Sequence, residues 1–536
     1  MVSLCGFAGN RGRNLLHIHD ERPGGASISV IVTMSPDAPV LAEADKRGIP
    51  TEVVPLEPDD DRFSHEKRLV QTLEPYSIDL VCLDGYMRIL STTFLDQMPP
   101  TLNVHPSLLP AFPGMDAWGD ALDAGVTISG CTVHLVTDAV DESGDVITNE
   151  VDTGPVITQE PVPVYPDDTT ESLKNRILYQ GEFVAYPRAI DWIASGRVSV
   201  NGTTVTHQRE TSEFPDLRIE TLDRHDVLRY GENPHQAAAV YRDRRSTAPS
   251  VVSATNLTPD AKSLSYNNYN DADAALQLIA EFEDPAAAVI KHTNPAGCAV
   301  SSSVADAYER ALATDPKSAF GGIVALNREC DQQTAEQIID SFKEVVVAPG
   351  YTNDAVSTLR ERENLRVLSV AGITRAASGT MKAKDLVGGR LFQDADTQHI
   401  VPNELEIVTE IHPSEETLES LCFAWQVCKH VKSNAIVFAN ERETVGIGAG
   451  QVSRVDAVEL AAKKADRDAI GKQATGAVMA SDAFFPFPDG IETAAEAGVH
   501  AVIQPGGSKR DPEVIAAADA HDMVMAFTGM RSFRHD

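Results

Sequence analysis

The sequence predicts an α/β protein: a doubly wound, Rossmann-like N-terminal domain followed by a pair of α/β lobes. Three observations predict it. Short apolar runs alternate with helix-like stretches through the first 200 residues, the pattern of a parallel sheet covered by helices. A polar stretch without a clear period follows at 201–220. The roughly 315 residues beyond it are too many for one small core, so two lobes are expected there.

In order, strands are predicted at 2–8, 28–33, 78–83, 101–104 and 132–136, with helices at 38–47 and 65–73 between them. A last helix is expected over 170–195, stopped by Gly196. The domains are then 1–200, a linker at 201–220, and 221–536. The second domain is expected to split into its lobes within 375–415, where the polar stretch 396–413 carries two prolines. There is no short-period repeat and no low-complexity tract.

Charge narrows the function. Acidic residues outnumber basic ones 79 to 45, giving a net charge of −34 over 536 residues. Coating nucleic acid needs a large positive field, and an anionic membrane surface repels such a protein, so neither is an expected partner. The acid excess is diffuse, with only 15 Lys against 30 Arg, which suits a surface bathed in concentrated salt. An ordinary acidic cytosolic enzyme is the plainer alternative. No run of about 20 apolar residues appears, and the N-terminus lacks the charge-then-apolar order of a signal peptide, so a cytoplasmic location is expected. The seven cysteines include no CxxC pair and read as free thiols; no His/Cys cluster has zinc-ligand spacing, so no metal is expected.

Two N-terminal motifs carry chemistry. Gly9-Asn10-Arg11-Gly12-Arg13-Asn14 follows the first strand and opens a helix, where backbone N–H groups can meet a phosphate. An ordinary strand-to-helix turn gives the same pattern. Asn103-Val104-His105-Pro106 places a carboxamide and an imidazole on one face of an extended segment. Side by side they can stabilise an oxyanion and trade a proton. A strand-end cap beside a surface histidine is the alternative.

With Gly85-Tyr86-Met87-Arg88-Ile89-Leu90, Gly130-Cys131-Thr132-Val133-His134, Asp152-Thr153-Gly154-Pro155 and Glu182-Phe183-Val184-Ala185-Tyr186-Pro187, these motifs resemble, in order, phosphoribosylglycinamide (GAR) formyltransferase. The resemblance covers about residues 1–200 and implies a formyltransferase-type fold. It implies that Asn103 and His105 polarise the formyl carbonyl while Asp152 pairs with His105 and helps move the proton from the glycinamide amine. Gly12, Arg13 and Asn14 would hold the ribose phosphate, and Glu182 would contact substrate. Met87, Arg88, Ile89 and Leu90 would line the folate pocket. The family's Thr-Asp-x-x-Asp run is here separated from Asp152 by about ten residues, so Asp141 and Asp152 both remain candidates for the carboxylate. The loop after Gly114 also lacks histidines common in relatives, so a half that only binds nucleotide or folate stays open as the alternative. Methionyl-tRNA formyltransferase shares the formyl-transfer core, but the acidic charge and the absence of a basic RNA-binding appendage count against it.

In the C-terminal half, Lys291-His292-Thr293-Asn294-Pro295 ends an apolar run, placing a cation and a base at a loop. A solvated lysine beside a capping histidine is the alternative. Gly446-Ile447-Gly448-Ala449-Gly450 has neither P-loop nor Rossmann spacing and is read as a tight turn. Phe484, Phe485 and Phe487 around Pro486 are readable as a packed turn.

These motifs, with Leu228-Arg229-Tyr230-Gly231, Ser265-Tyr266-Asn267-Asn268, Ser318-Ala319-Phe320-Gly321, Ser433-Asn434 and Met530-Arg531-Ser532-Phe533, are similar to the aminoimidazole carboxamide ribonucleotide (AICAR) transformylase domain. The similarity covers about 221–536 and implies two cytidine-deaminase-like lobes lacking zinc. His292 would take the amine proton, Lys291 would serve the developing charge or the leaving folate, and Asn434 would orient the carboxamide or formyl oxygen. Arg229 and Arg531 would bind phosphate. Tyr230, Asn268, Phe320, Gly321, Glu344 and Phe533 would contact substrate, and Arg454, Phe484, Phe487 and Asp489 would line the folate site. The two resemblances together imply a fused enzyme of purine synthesis, using 10-formyltetrahydrofolate as cosubstrate for GAR and for AICAR. They also imply a homodimer through the C-terminal domain. The cyclohydrolase domain usual in bifunctional relatives has no counterpart in the motifs, so no ring-closing activity is expected.

Overall fold

A computed structural model describes residues 2–208 and 214–535; residues 209–213 of the expected linker lie outside them. Two compact units are present, one ending at Leu217 and the other beginning at Arg218.

The first unit is built on seven strands: β1 (Ser3–Ala8), β2 (Ser27–Thr33), β3 (Thr51–Val53), β4 (Leu80–Asp84), β5 (Thr101–His105), β6 (Ile128–Leu135) and β7 (Val156–Pro163). Their order is β3-β2-β1-β4-β5-β6-β7. The sheet is parallel from β3 to β5, but β6 and β7 run antiparallel. A parallel neighbour needs a long crossover, usually a helix. The chain between β6 and β7 forms no helix, so β7 returns antiparallel as an edge strand. Its Pro161 and Pro163 hide it from a reading by strand propensity, yet an edge tolerates them.

Helices α1 (Arg13–Glu21), α2 (Pro39–Arg47), α3 (Arg62–Leu73), α4 (Thr92–Leu95), α5 (Ala117–Asp123), α6 (Thr170–Arg176) and α7 (Phe183–Ala194) cover the sheet. Alternation along β1 sends Leu4 and Ala8 into one core with Leu15, Ile18 and Tyr186, and Cys5 and Phe7 into the other with Leu69 and Phe94. The helix expected as one piece over 170–195 is interrupted by a π-helical stretch, Ile177–Glu182. Part of the expected linker is ordered: β8 (Val198–Asn201) and β9 (Thr204–His207) form a hairpin turned at Gly202, whose φ is 57°.

The second unit begins with the hairpin β10 (Asp223–Leu228) and β11 (Ala238–Arg242). Its centre is a twelve-stranded sheet made of two matching halves. The first half runs β12 (Thr255–Asn256), α8 (Tyr266–Ile279), β13 (Ala286–Lys291), β14 (Asn294–Val300), α9 (Val304–Leu312), β15 (Ile323–Leu326), α10 (Gln332–Ile339), β16 (Val345–Ala348), α11 (Asn353–Leu359) and β17 (Arg366–Ser369). A connection carrying the hairpin β18 (Met381–Leu386) and β19 (Gly389–Asp394) leads to the second half. That half repeats the order: β20 (Glu406–Ile407), α12 (Glu415–Cys428), β21 (Ile436–Asn440), β22 (Glu443–Gly448), α13 (Arg454–Arg467), β23 (Val478–Ser481), α14 (Asp489–Glu496), β24 (Ala501–Gln504), α15 (Asp511–Ala520) and β25 (Val524–Phe527).

The sheet order, β12-β17-β16-β15-β13-β14-β22-β21-β23-β24-β25-β20, is a palindrome in these equivalents, joined where β14 meets β22. Helices α8 and α12 share one core on one face, while α9–α11 and α13–α15 pack on the other. Local geometry repeats too. β13 and β14 are joined by His292 and Thr293 with φ of 54° and 62°, and β21 and β22 by Glu441 and Arg442 with φ of 51° and 78°. Both are two-residue hairpin turns with two left-handed residues.

The glycines at 446–450 do not form one tight turn. A Cβ on Gly446 would lie 2.2 Å from the Ala461 carbonyl oxygen, and one on Gly448 would lie 1.9 Å from that of Ala457. Those two glycines let α13 lie flat on β22, and only Gly450, at φ 67°, serves the turn that follows.

Candidate functional site

In the first unit, a cavity of about 770 Å³ opens at the ends of β1, β4 and β5. It is lined by Gly12, Arg13, Met87, Arg88, Ile89, Leu90, Asn103, His105, Asp152 and Glu182, which brings five separate segments of the chain together. Its size suits a ligand pocket.

His105 ends β5. Its Nδ1 lies 3.2 Å from Asp152 Oδ2, and its Nε2 lies 2.9 Å from the Phe112 carbonyl oxygen. Both ring nitrogens face acceptors, which only the doubly protonated ring satisfies at once. Asp152 is held at φ 58°, and its Oδ2 also accepts the Gly114 N–H at 3.3 Å. Gly154 follows because a Cβ there would lie 1.8 Å from the Leu135 carbonyl oxygen. Asp141 does other work. Its Oδ1 accepts the N–H groups of Ser143 and Asp145, both at 2.9 Å, and closes its own loop.

His134 on β6, which the sequence motifs do not mark as a functional residue, also lines the cavity. Burial holds its pKa below the usual imidazole value, against the pull of Asp152. The neutral ring gives its Nδ1 proton to the Leu135 carbonyl at 3.1 Å, so Nε2 accepts from Asn103 Nδ2 at 3.3 Å. That contact sets the Asn103 amide with one N–H on His134 and the other uncommitted.

The start of α1 departs from expectation at Asn14. Its side-chain amide donates to Glu182 at 2.7 Å and Asp84 at 3.2 Å, and its backbone N–H donates to Asp84 at 2.9 Å. An anion at this helix end therefore meets Gly12 and Arg13, while Asn14 gathers two carboxylates. Glu182 is delivered by the π-helical stretch. Loss of bulk water, with the charge of Asp84 adding, raises its pKa to about 7 although the Asn14 amide opposes the rise.

A stability test follows. The native carboxyl titrates above its unfolded value of 4.5, so it weakens the fold as pH rises through 4.5 to 7. Glu182→Gln is expected to stabilise this unit at pH 8 by about 3 kcal/mol and not at pH 5. Denaturant midpoints measured across pH 5–8.5 check the sign; a variant less stable at pH 8 would contradict it.

In the second unit Lys291, His292, Asn434 and Arg454 lie around the start of β21 and the β13–β14 turn. Lys291 Nζ donates to the Gly321 carbonyl at 2.9 Å. The His292-Thr293 turn is clamped by Asp271 of α8, whose carboxylate accepts both backbone N–H groups at 3.2 and 2.7 Å. Asn294 Oδ1 takes the Lys432 N–H at 2.9 Å, tying this turn to the segment before Asn434.

Asn434 gives both amide hydrogens away, to the carbonyls of Gln451 at 2.9 Å and Val452 at 3.0 Å, and its Oδ1 accepts from Arg454 at 2.7 Å. It is left with acceptor capacity for a substrate N–H, not a donor for a formyl oxygen. Arg454 is buried and committed to Asp482 at 2.5 Å, Ser481 at 2.7 Å and Asn434. It braces Asn434 from within the protein. Asp482 also accepts from Ser433, and its backbone carbonyl takes the Ser532 N–H at 2.9 Å, docking the segment that bears Arg531 and Phe533.

Phe485 is core, whereas Phe484 and Phe487 are exposed and Arg510 stacks on Phe487 at 4.7 Å. Asp489 opens α14, its Oδ1 accepting the Gly490 N–H at 2.8 Å. Arg229 stacks on Tyr230 at 4.8 Å and Arg531 on Phe533 at 5.2 Å. Phe320 is exposed beside Phe342, and Asn268 donates to Glu344 at 2.8 Å. Among the described residues no group of three or more His, Cys, Asp or Glu has the arrangement of a metal site, and no helix is long and apolar enough to cross a membrane.

Residues 191–464, more than half of the chain, match the family described as AICARFT/IMPCHase bienzyme. The chain belongs to that family. Residues 6–190 match a second family, described as formyl transferase. Among curated relatives of the bienzyme family is the bifunctional purine biosynthesis protein PurH of Sorangium cellulosum, 48% identical over 357 residues, covering 66% of this chain and 67% of that protein. PurH of Dinoroseobacter shibae is 53% identical over 317 residues, covering 58% and 59%. The chain thus spans about three fifths to two thirds of these relatives' length. Among solved structures, glycinamide ribonucleotide transformylase 1 from Symbiobacterium toebii is 37% identical and covers 39% of this chain and 95% of that one, with a TM-score of 0.35. Phosphoribosylglycinamide formyltransferase from Anaplasma phagocytophilum is 35% identical, covering 40% and 96%, with a TM-score of 0.34.

Proposed function

We propose that the chain carries out two formyl transfers of purine synthesis, both from 10-formyltetrahydrofolate: to the GAR amine in the first unit and to the AICAR amine in the second. The observation that carries the first is the set Asn103, His105 and Asp152 facing one cavity. Membership of the bienzyme family carries the second.

In the first unit the segment from Met87 to Leu90 forms the wall for the folate, and Gly12 and Arg13 meet the phosphate. When the GAR amine attacks the formyl carbon, negative charge builds on the formyl oxygen. The uncommitted Asn103 N–H and the protonated His105 ring supply the stabilising donors. The Nε2 proton now given to Phe112 passes to the departing folate nitrogen, the ring nitrogen so freed takes the proton that the attacking amine sheds, and Asp152 holds the ring in orientation.

Asp152→Asn is accordingly expected to cut GAR formylation by roughly 10²–10⁴-fold. Asp141→Asn is expected to change it little, because that side chain serves its loop. Steady-state rates on GAR check this, and the reverse order would move the catalytic carboxylate to Asp141.

In the second unit the AICAR amine is conjugated to an electron-poor ring and needs a placed base. His292 takes that role on a turn locked by Asp271, with Lys291 beside it. Asn434 accepts from the carboxamide N–H. Phe320, Phe484, Phe487, Arg229 and Arg531 lie open to solvent, and hairpins β10–β11 and β18–β19 expose Val227, Tyr241, Leu386, Val387 and Leu391. A two-stranded hairpin is marginal by itself. These features support a homodimer that covers the hairpins and closes the second site. The net charge of −34 supports function in concentrated salt. Formyl-transfer assays of the purified chain with each nucleotide test the reading; turnover of AICAR but not GAR would leave the first unit a binding domain.

A further inference from the structure

We propose that Arg366 is a positioning residue of the nucleotide subsite, holding Asn268 and Glu344 in the arrangement that receives the ribose hydroxyls of AICAR. The proposal rests on the AICAR reading above and names a residue that the motifs of the sequence did not single out.

Arg366 opens β17 and is buried. Its guanidinium donates to Asn268 Oδ1 and lies 3.4 Å from Glu344 Oε2, and its other terminal nitrogen donates to the Asn364 carbonyl at 2.9 Å. Asn268 sits in the first turn of α8. Its Oδ1 also accepts the Ser265 N–H at 3.1 Å, and its Nδ2 donates to Glu344 Oε2 at 2.8 Å. With donors at Oδ1 from two sides, the amide has one orientation, and its N–H is aimed at Glu344.

Glu344 therefore has Oε2 gripped by Asn268 and Arg366. Its side chain keeps 34% exposure against 8% for Arg366, so the carboxylate is the accessible member of the three. A carboxylate held by one oxygen, with the other uncommitted, suits an acceptor for a hydroxyl pair. The place is right as well. The Glu344 N–H donates to the Gly322 carbonyl at 3.1 Å, and Gly321 accepts Lys291, so this carboxylate is two short steps from the Lys291-His292 pair. Arg229, an expected phosphate contact, stacks on Tyr230 and makes no ion pair with a carboxylate among the described residues.

The test uses full-length Arg366→Met, Arg366→Lys, Glu344→Gln and the Met/Gln double variant. KM for AICAR, KM for 10-formyltetrahydrofolate, kcat and the melting temperature are read for each. Arg366→Met is expected to raise KM for AICAR about tenfold while kcat and the folate KM move far less. Arg366→Lys should recover part of the loss, since an ammonium reaches one acceptor but not the fork. The double variant should be no worse than the poorer single one, because both act on one carboxylate. An unchanged AICAR KM in Arg366→Met, losses that multiply, or equal losses for both substrates with a lowered melting temperature would overturn the proposal. Calorimetric titration with AICAR alone separates the two readings. Wild-type binding without turnover sinks the transferase reading and leaves the subsite to be judged by the Arg366→Met affinity. No wild-type binding sinks both.

Discussion

His105→Ala is expected to lower formyl transfer to GAR by about 10³-fold or more while leaving transfer to AICAR intact, and His292→Ala is expected to do the reverse. The size follows from what each ring supplies. Proton transfer by a placed side chain contributes roughly 10²–10⁴-fold, and an oxyanion donor is worth a similar factor. His105 supplies both, because its two nitrogens sit between Asp152 and the Phe112 carbonyl. Alanine at 105 also leaves Asp152 without its cation. Among the described residues no carboxylate pairs with the His292 ring; Asp271 holds its backbone instead, so the side chain remains available as a base. The selectivity follows from the division of the chain after Leu217, which gives each histidine its own unit. Both assays run on one preparation of each variant, and its melting curve shows whether the altered unit is still folded. Loss of both activities in a variant that melts like wild type would refute two independent sites.

Glu281→Ala is expected to destabilise the second unit by about 3–5 kcal/mol, the usual cost of stripping one partner from a buried ion pair. Glu281 lies two residues past α8, and His430 lies two residues past α12, so the repeat makes them equivalents. They meet at 2.9 Å, with Lys429 Nζ 3.0 Å from the same carboxylate oxygen; Glu281 and His430 are buried and Lys429 is largely so. Burial by itself would push the Glu281 carboxyl up. The His430 hydrogen bond and charge, then Lys429, overcome this and bring it down to about 2. Burial meanwhile lowers the His430 pKa.

The pH dependence has a definite sign. A native pKa below the unfolded 4.5 means the contribution is complete above pH 4.5 and is lost as pH falls toward 2. Wild type should lose stability steeply over that window, and Glu281→Gln should flatten the loss. Melting curves from pH 7 to pH 3 read both effects. The expected drop for Glu281→Ala at pH 7 is about 5–10 °C. A drop under one degree would show that Lys429 finds solvent when its partner is gone.

Much of this was legible before any fold was drawn. Asn103 and His105 stand two apart on a strand, and period-2 alternation alone puts them on one face. The apolar run ending at Lys291 placed a cation and a base at a turn for the same reason of local chemistry. The antiparallel edge β7 was not legible, because Pro161 and Pro163 look like strand breakers until the strand is known to lie at an edge. His134 was overlooked because a histidine on an apolar strand reads as core, and its value lies in the Asn103 amide it orients from a neighbouring strand. The part Arg454 plays inside the protein, where its guanidinium donates to Asp482, Ser481 and Asn434, was not legible either, because those partners are far from it in the chain.

The α/β class, the kinds of side chain available for the proposed formyl transfer and their order along the chain are all readable from the residues alone. Periodicity, turn residues and neighbouring donors are local properties, and a linear reading captures them. The tertiary structure decided which carboxylate reaches His105, which way the Asn103 and Asn434 amides point, and that Glu281 meets its repeat equivalent His430. Those outcomes depend on pairs such as His105 with Asp152 or Asn434 with Arg454, which are distant in the chain and meet only when sheets and helices pack. Hydrogen-bond direction is settled by all the partners of an atom at once, and a sequence shows only the neighbours along the chain.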